Sequence, residues 1–114
     1  MLRLRNVTFM SRHPERLADF WAAALGWPER RTWEDEIVVA DAEWGFPRLT
    51  VQTIDDERSA PGAVHLDITA DDRVAEVARL RGLGATEDDT HEVDGFRWTI
   101  MRDPDGNEFC VTDP

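Results

Sequence analysis

Few side chains of this 114-residue chain can carry out acid–base or nucleophilic chemistry. It has three histidines and one cysteine, namely His13, His65, His91 and Cys110, and all thirteen basic residues are arginine. Because lysine and tyrosine are absent, mechanisms that use a Schiff-base lysine, a lysine base or a tyrosine acid are excluded. Neither serine lies in a G-x-S-x-G motif, and the G-x-G-x-x-G, G-K-[ST], H-E-x-x-H and C-x-x-C motifs are missing. Histidine, cysteine and carboxylate groups therefore remain as the candidates.

The composition is typical of one globular domain that does not bind nucleic acid. Thirteen arginines against 24 acidic residues give a net charge of −11, which repels a phosphate backbone. No apolar run approaches the roughly 20 residues of a membrane span, so no membrane partner is expected. The charged N-terminus is not followed by an apolar segment, and a single cysteine cannot form an intramolecular disulfide. We therefore expect a cytoplasmic protein.

The order of predicted elements repeats once along the chain, and each copy reads strand, helix and three strands. Helical spacing of apolar residues follows Pro14 and ends at Gly26, and a second amphipathic helix is predicted over 71–83. The predicted strands are 2–10, 29–33, 36–40 and 48–54 in the first copy, and 63–69, 85–92, 96–102 and 108–112 in the second. The sequence thus predicts an α+β fold in one domain, 1–114, with modules at about 1–55 and 62–114.

This repeat also predicts a pocket for a small molecule. One such module leaves the sheet face opposite its helix uncovered, and two modules together make a shared concavity, so we expect a cupped sheet. Side chains alternate between the faces of a strand, so the apolar pattern identifies those that face the pocket. They are Thr50, Gln52, His65, Asp67, Thr69, Trp98, Ile100, Glu108, Cys110 and Thr112. The aromatic residues Trp33, Trp44 and Phe46 are candidates for an apolar rim.

Several of these residues have two interpretations. His65 is either a partly buried histidine bonded to Asp67 or a functional group on a concave polar face. Cys110 is expected to be a small buried apolar residue rather than a reactive thiol. His91 is expected on a solvated face, and Trp21 in the core.

Three segments resemble the signatures of one superfamily. Residues 9–27 resemble the first strand and helix of the vicinal-oxygen-chelate superfamily, which contains the glyoxalase, bleomycin resistance and dioxygenase group. Residues 62–68 look like its fifth strand, and residues 101–111 resemble its closing hairpin, with an Asp-Pro-Asp-Gly turn. The resemblance spans essentially the whole chain and is closest to the glyoxalase-like domain branch. It implies the fold of that group, two βαβββ modules.

The resemblance also implies positions for a metal and a mode of assembly. Members that use a metal have His or Gln on the first strand, His on the fifth and Glu on the eighth. In this chain these positions hold Asn6, His65 and Cys110, with Glu108 as a substitute for the cysteine. Family members commonly build the pocket from the first module of one chain and the second of its partner. A homodimer in which Asn6 meets His65 and Cys110 across the interface is therefore implied.

Three functions remain open, and each involves a small-molecule ligand. The first is a metal-free binding module whose tryptophan-lined pocket holds an aromatic or drug-like metabolite. The second is a metal-dependent lyase, isomerase or dioxygenase that uses His65 with Glu108 or Cys110, in which a divalent metal polarises the substrate oxygens. The third is a metal-free acid–base enzyme that uses His65 with Asp67 or Glu108.

Overall fold

Two modules of the same architecture make up the computed structural model, which describes residues 6–54 and 66–114. The first comprises β1 (Asn6–Ser11), α1 (Pro14–Leu25), β2 (Glu29–Trp33), β3 (Glu36–Ala40) and β4 (Arg48–Thr53). The second comprises β5 (Leu66–Thr69), α2 (Arg73–Gly82), β6 (Thr86–Val93), β7 (Phe96–Arg102) and β8 (Glu108–Thr112). The predicted α+β class with two βαβββ modules is confirmed. Neither described helix is long and apolar enough to cross a membrane.

Both sheets have the same strand order. The first is β1-β4-β3-β2 and the second is β5-β8-β7-β6. In each module the first strand pairs in parallel with the last, and the remaining pairs are antiparallel. The β6–β7 hairpin turns at Asp94 and Gly95, which both have positive φ, as a tight two-residue hairpin turn requires. One layer of helix thus covers one sheet in each module.

The core of the first module lies between α1 and the sheet. Phe9, Leu17 and Trp21 are fully buried, and the Phe9 and Trp21 rings stack with centroids 5.7 Å apart. The helix ends where predicted, because Gly26 takes a left-handed φ of 68° that closes the last turn. At the other end of the helix, His13 occupies the N-cap position but its side chain makes no capping hydrogen bond. The Ser11 hydroxyl accepts a hydrogen bond from the backbone N–H group of His13.

In the second module, α2 packs against β6, β7 and β8. Asp72 caps the helix, since its carboxylate accepts a hydrogen bond from the Ala75 N–H group at 3.0 Å. Alternate residues of the strands fill the interface with the helix, and the fully buried ones include Thr99, Met101, Phe109 and Val111. The residues of β7 and β8 that alternate with these lie on the opposite face. In each module we call the sheet face opposite the helix the open face.

Most predicted boundaries agree with the structure. The bounds of β2, β3, β7 and β8 are those predicted, and β6 is shifted by one residue at each end. Helix α2 begins at Arg73 rather than 71, because Asp72 is its N-cap. The N-terminal parts of the strands predicted at 2–10 and 63–69 lie outside the described residues.

Candidate functional site

The open face of the first sheet carries the predicted residues Asn6, Thr50 and Gln52. Parallel pairing of β1 with β4 sets Thr8 beside Thr50. The Thr50 hydroxyl donates a hydrogen bond to Asn6 Oδ1 at 2.9 Å, and Asn6 Nδ2 donates to Thr8 Oγ1 at 2.9 Å. The Asn6 amide is therefore already engaged at both its oxygen and its nitrogen.

On the open face of the second sheet, Cys110 lies between Asp67 and Ile100. These two residues are its register partners on β5 and β7. The Cys110 side chain is buried, at 5% exposure, and its thiol donates a hydrogen bond to the Asp67 carboxylate. Burial raises the pKa of the Cys110 thiol above its ordinary value, and the charges of Asp67 and Glu108 raise this pKa further. Cys110 is thus a protonated thiol at neutral pH.

Three aromatic rings are in contact on the same open face, and we call them the aromatic ladder: His91, Phe96 and Trp98. His91 and Trp98 are register partners on β6 and β7, and their rings stack with centroids 5.6 Å apart at 26°. The Phe96 ring lies 6.1 Å from Trp98. Trp98 is half-buried and Phe96 is 44% exposed, so the ladder offers aromatic surface to a ligand.

Charged and hydroxyl groups border this aromatic surface. The Arg102 guanidinium contacts the Asp88 carboxylate at 2.9 Å and the Glu108 carboxylate at 3.6 Å. The Thr112 hydroxyl donates to Thr69 Oγ1 at 3.2 Å, beside Trp98 in the register. The second open face therefore combines an apolar centre with polar groups around it, as small-molecule sites do.

The structure groups the predicted site residues by module. Asn6, Thr50 and Gln52 share the open face of the first sheet. Asp67, Trp98, Ile100, Glu108 and Cys110 share that of the second. His65 lies outside the described residues.

The sequence interpretation missed the contacts of His91 and Phe96 with Trp98. His91 is exposed, yet it also stacks on the tryptophan. The alternation along β7 could have predicted that Phe96 lies on the open face, because it is two residues from Trp98 on the same strand.

The family model of the glyoxalase-like domain matches residues 6–112. The chain belongs to this family. No curated protein matches it at a significant level. The glyoxalase-like fold is also found in many solved structures, and three examples follow.

One is a glyoxalase/bleomycin resistance protein/dioxygenase family enzyme from Burkholderia phytofirmans PsJN. It has a TM-score of 0.76 and 14% identity, and the match covers 98% of both chains. Another is TnmS3, an antibiotic binding protein from Streptomyces sp. CB03234, with a TM-score of 0.71 and 21% identity over 100% of this chain and 97% of that one. The third is the oxidase ChaP-H2, with a TM-score of 0.70 and 19% identity, and the match covers 100% of this chain and 94% of that one. At these identities the likeness shows the fold alone.

Two of the metal positions implied for this glyoxalase-like domain, Asn6 and Cys110, do not suit a divalent ion. Cysteine binds metals as a thiolate, whereas burial and two carboxylates hold Cys110 in its protonated form. The amide oxygen of Asn6 is a neutral donor that already accepts the Thr50 hydroxyl. Within 6–54 and 66–114, no three His, Cys, Asp or Glu side chains form a metal-binding group. We therefore derive no chemistry through a metal.

The raised pKa of Cys110 gives a testable prediction. We expect iodoacetamide to alkylate the native protein much more slowly at pH 8.5 than a free cysteine, because only the thiolate reacts. Asp67→Asn removes the larger of the two charge effects and should lower the pKa of Cys110, which speeds alkylation. Glu108→Gln should speed it less. Mass spectrometry of the modified chain follows the rate, and equal rates in all three proteins would contradict this account of the thiol.

Proposed function

We propose that this glyoxalase-like domain binds a small planar aromatic molecule, without a metal, on the aromatic ladder of its second module. The observation that carries the proposal is the contact of three rings on the open face, with Trp98 in the middle. Exposed aromatic surface is costly in water, and a planar ligand would cover it by stacking.

The surroundings of the ladder support a binding role. Ile100, next but one to Trp98 on β7, extends the apolar surface toward Cys110. Because its thiol is buried and protonated, Cys110 contributes a small apolar contact rather than a nucleophile. The antibiotic binding protein TnmS3 shares this fold, which is consistent with the same use of it here.

Replacing Trp98 tests the proposal. A neutral probe, 2-naphthylmethanol, should bind the wild-type protein with heat detectable by isothermal titration calorimetry. Trp98→Ala removes the central ring, and we expect at least a roughly tenfold loss of affinity, since burying an aromatic side chain together with ring contact is worth about 1.5–3 kcal/mol. Trp98→Phe retains a ring and should lose roughly threefold or less.

A second tryptophan serves as the matched control. Trp33 is 67% exposed on β2 of the first module and is not part of the ladder, so Trp33→Ala should leave the affinity for this probe unchanged. No binding by the wild-type protein, or equal losses with Trp33→Ala and Trp98→Ala, would refute the proposed site.

The metal-free part of the proposal has its own test. Untagged protein should contain no stoichiometric divalent ion by elemental analysis, and its affinity for 2-naphthylmethanol should be the same in EDTA and in added Mn²⁺ or Zn²⁺. A metal bound one to one, or affinity that depends on it, would favour the metal-dependent enzyme.

The proposal includes a cytoplasmic homodimer. The basis for the dimer is the family resemblance. Sedimentation velocity with and without the probe would give the oligomeric state, and a monomer at high micromolar concentration would count against the dimer.

A further inference from the structure

We infer that the first module carries a separate binding site for an organic anion, with an aromatic carboxylate as the preferred ligand class. The site is the arginine cluster, which consists of Arg31, Trp44, Phe46 and Arg48. This inference goes beyond the proposed function, because it concerns residues of the other module and a ligand of negative charge.

Two guanidinium groups are held against a single indole ring in this cluster. The Arg31 and Arg48 guanidinium carbons lie 5.4 and 5.3 Å from the centre of the Trp44 ring, and Arg48 also lies 4.5 Å from the centre of the Phe46 ring. These are cation–π distances, which fix the orientation of the planar groups without using their N–H donors.

Neither guanidinium forms an ion pair with a carboxylate of residues 6–54 or 66–114. Among the described residues, no carboxylate oxygen lies within 4.0 Å of Arg31 or Arg48, although Glu29 and Glu36 share the open face. Arg48 donates to the carbonyl oxygens of Trp44 and Gly45, at 2.6 and 3.4 Å. Two cations that repel each other beside one ring, in a protein of net charge −11, form a positive site that an anion would stabilise.

A rigid loop holds the cluster in place. The Asp41 carboxylate accepts hydrogen bonds from the Glu43 and Gly45 N–H groups at 3.0 and 2.8 Å. A Cβ at Gly45 would lie 2.9 Å from this carboxylate, so the close approach requires glycine. Trp44 has a φ of 54°, a conformation that costs a non-glycine residue free energy. The loop conformation thus holds the indole ring beside both arginines before any ligand binds.

The chemistry of the cluster selects the ligand class. A carboxylate accepts two parallel hydrogen bonds from one guanidinium, and an attached aromatic ring can stack on Trp44 or Phe46. No carboxylate of the described residues lies within 4.0 Å of the Arg31 guanidinium, so its N–H donors can form such a pair. A neutral aromatic molecule would gain the stacking but not the ion pair.

Two probes with the same rings separate these contributions. We expect 2-naphthoate to bind the wild-type protein at least about fivefold more tightly than neutral 2-naphthylmethanol in calorimetry at low ionic strength. In Arg31→Gln this preference should disappear, with unchanged affinity for the alcohol. Raising the salt concentration should weaken the naphthoate alone.

A neighbouring arginine provides the control. Arg30 is on the other face of β2 and is paired with Asp19 at 2.6 Å and Glu15 at 3.4 Å. Arg30→Gln removes the same charge but should leave both affinities unchanged. Equal affinity for the two probes, no naphthoate binding, or equal effects of Arg30→Gln and Arg31→Gln would overturn the inference. Insensitivity of alcohol binding to Trp98→Ala would instead overturn the proposed ladder site and leave the arginine cluster standing.

Discussion

Replacing Trp21 with alanine is expected to lower the free energy of unfolding of the first module by about 3–5 kcal/mol, the usual cost of truncating a fully buried large aromatic residue. Trp21 is 0% exposed, and it stacks on Phe9 and meets Phe20 edge-on with centroids 5.1 Å apart. The substitution removes these contacts and leaves a cavity between α1 and the sheet. Urea unfolding followed by far-ultraviolet circular dichroism measures the loss.

Two further variants make the prediction specific. Trp21→Phe keeps a ring in the core and should lose less than half as much, which covers the case in which the alanine variant does not fold. Trp33→Ala removes a tryptophan that is 67% exposed and should change stability by no more than about 0.5 kcal/mol. Similar losses for Trp21→Ala and Trp33→Ala would show that Trp21 is not the centre of this core.

Replacing Arg73 with alanine is expected to destabilise the second module by about 2–3 kcal/mol. The Arg73 side chain is only 10% exposed, and it donates to Asp113 Oδ1 at 3.0 Å and to the buried Thr99 hydroxyl at 2.7 Å. It therefore joins the first turn of α2 to β7 and to the residue that follows β8. Among the described residues, alanine would leave the Asp113 carboxylate with its bond from the Arg97 N–H group alone.

The same helix contains a suitable comparison. Arg79 pairs with Glu76 at 2.8 Å, but both side chains are more than 40% exposed. Arg79→Ala should therefore cost no more than about 0.5 kcal/mol. Chemical unfolding of both variants decides the matter, and an Arg73→Ala loss as small as that of Arg79→Ala would mean that the network around Thr99 does not stabilise the module.

The sequence was sufficient for the fold because local signals agreed with the global pattern. The period of two in 108–112 predicted Phe109 and Val111 on the helix face, and both are buried there. Glycine ended α1 where the apolar spacing stopped. The β6 strand was harder, since every residue in it is exposed and its register with β7 shifts between Glu87 and Thr90. Such a shift is set by pairing in space, not by the composition of the strand.

The candidate site could be predicted only one side chain at a time. Alternation placed Trp98 on the open face, but the stacking of His91 on it depends on which residues of two strands face each other. The arginine cluster could not be predicted from the sequence for another reason. Trp44 lies between two predicted strands, and its left-handed backbone brings a loop residue against Arg31 on β2. Nothing in the one-dimensional pattern indicates that contact.

The parallel pairing within each module also constrains how the chain folds during synthesis. The β2–β3 and β6–β7 hairpins join strands that are adjacent in sequence and can form early. Strand β1 can pair only after β4 has been synthesised, since Asn6 is the register partner of Arg48, and β5 only after β8, since Leu66 is the partner of Phe109. In the described sheets β1 pairs with β4 alone, and β5 with β8 alone. A nascent chain that ends before β8 would therefore present β5 as an unpaired strand, open to pairing with other chains until β8 has been synthesised and can pair with it.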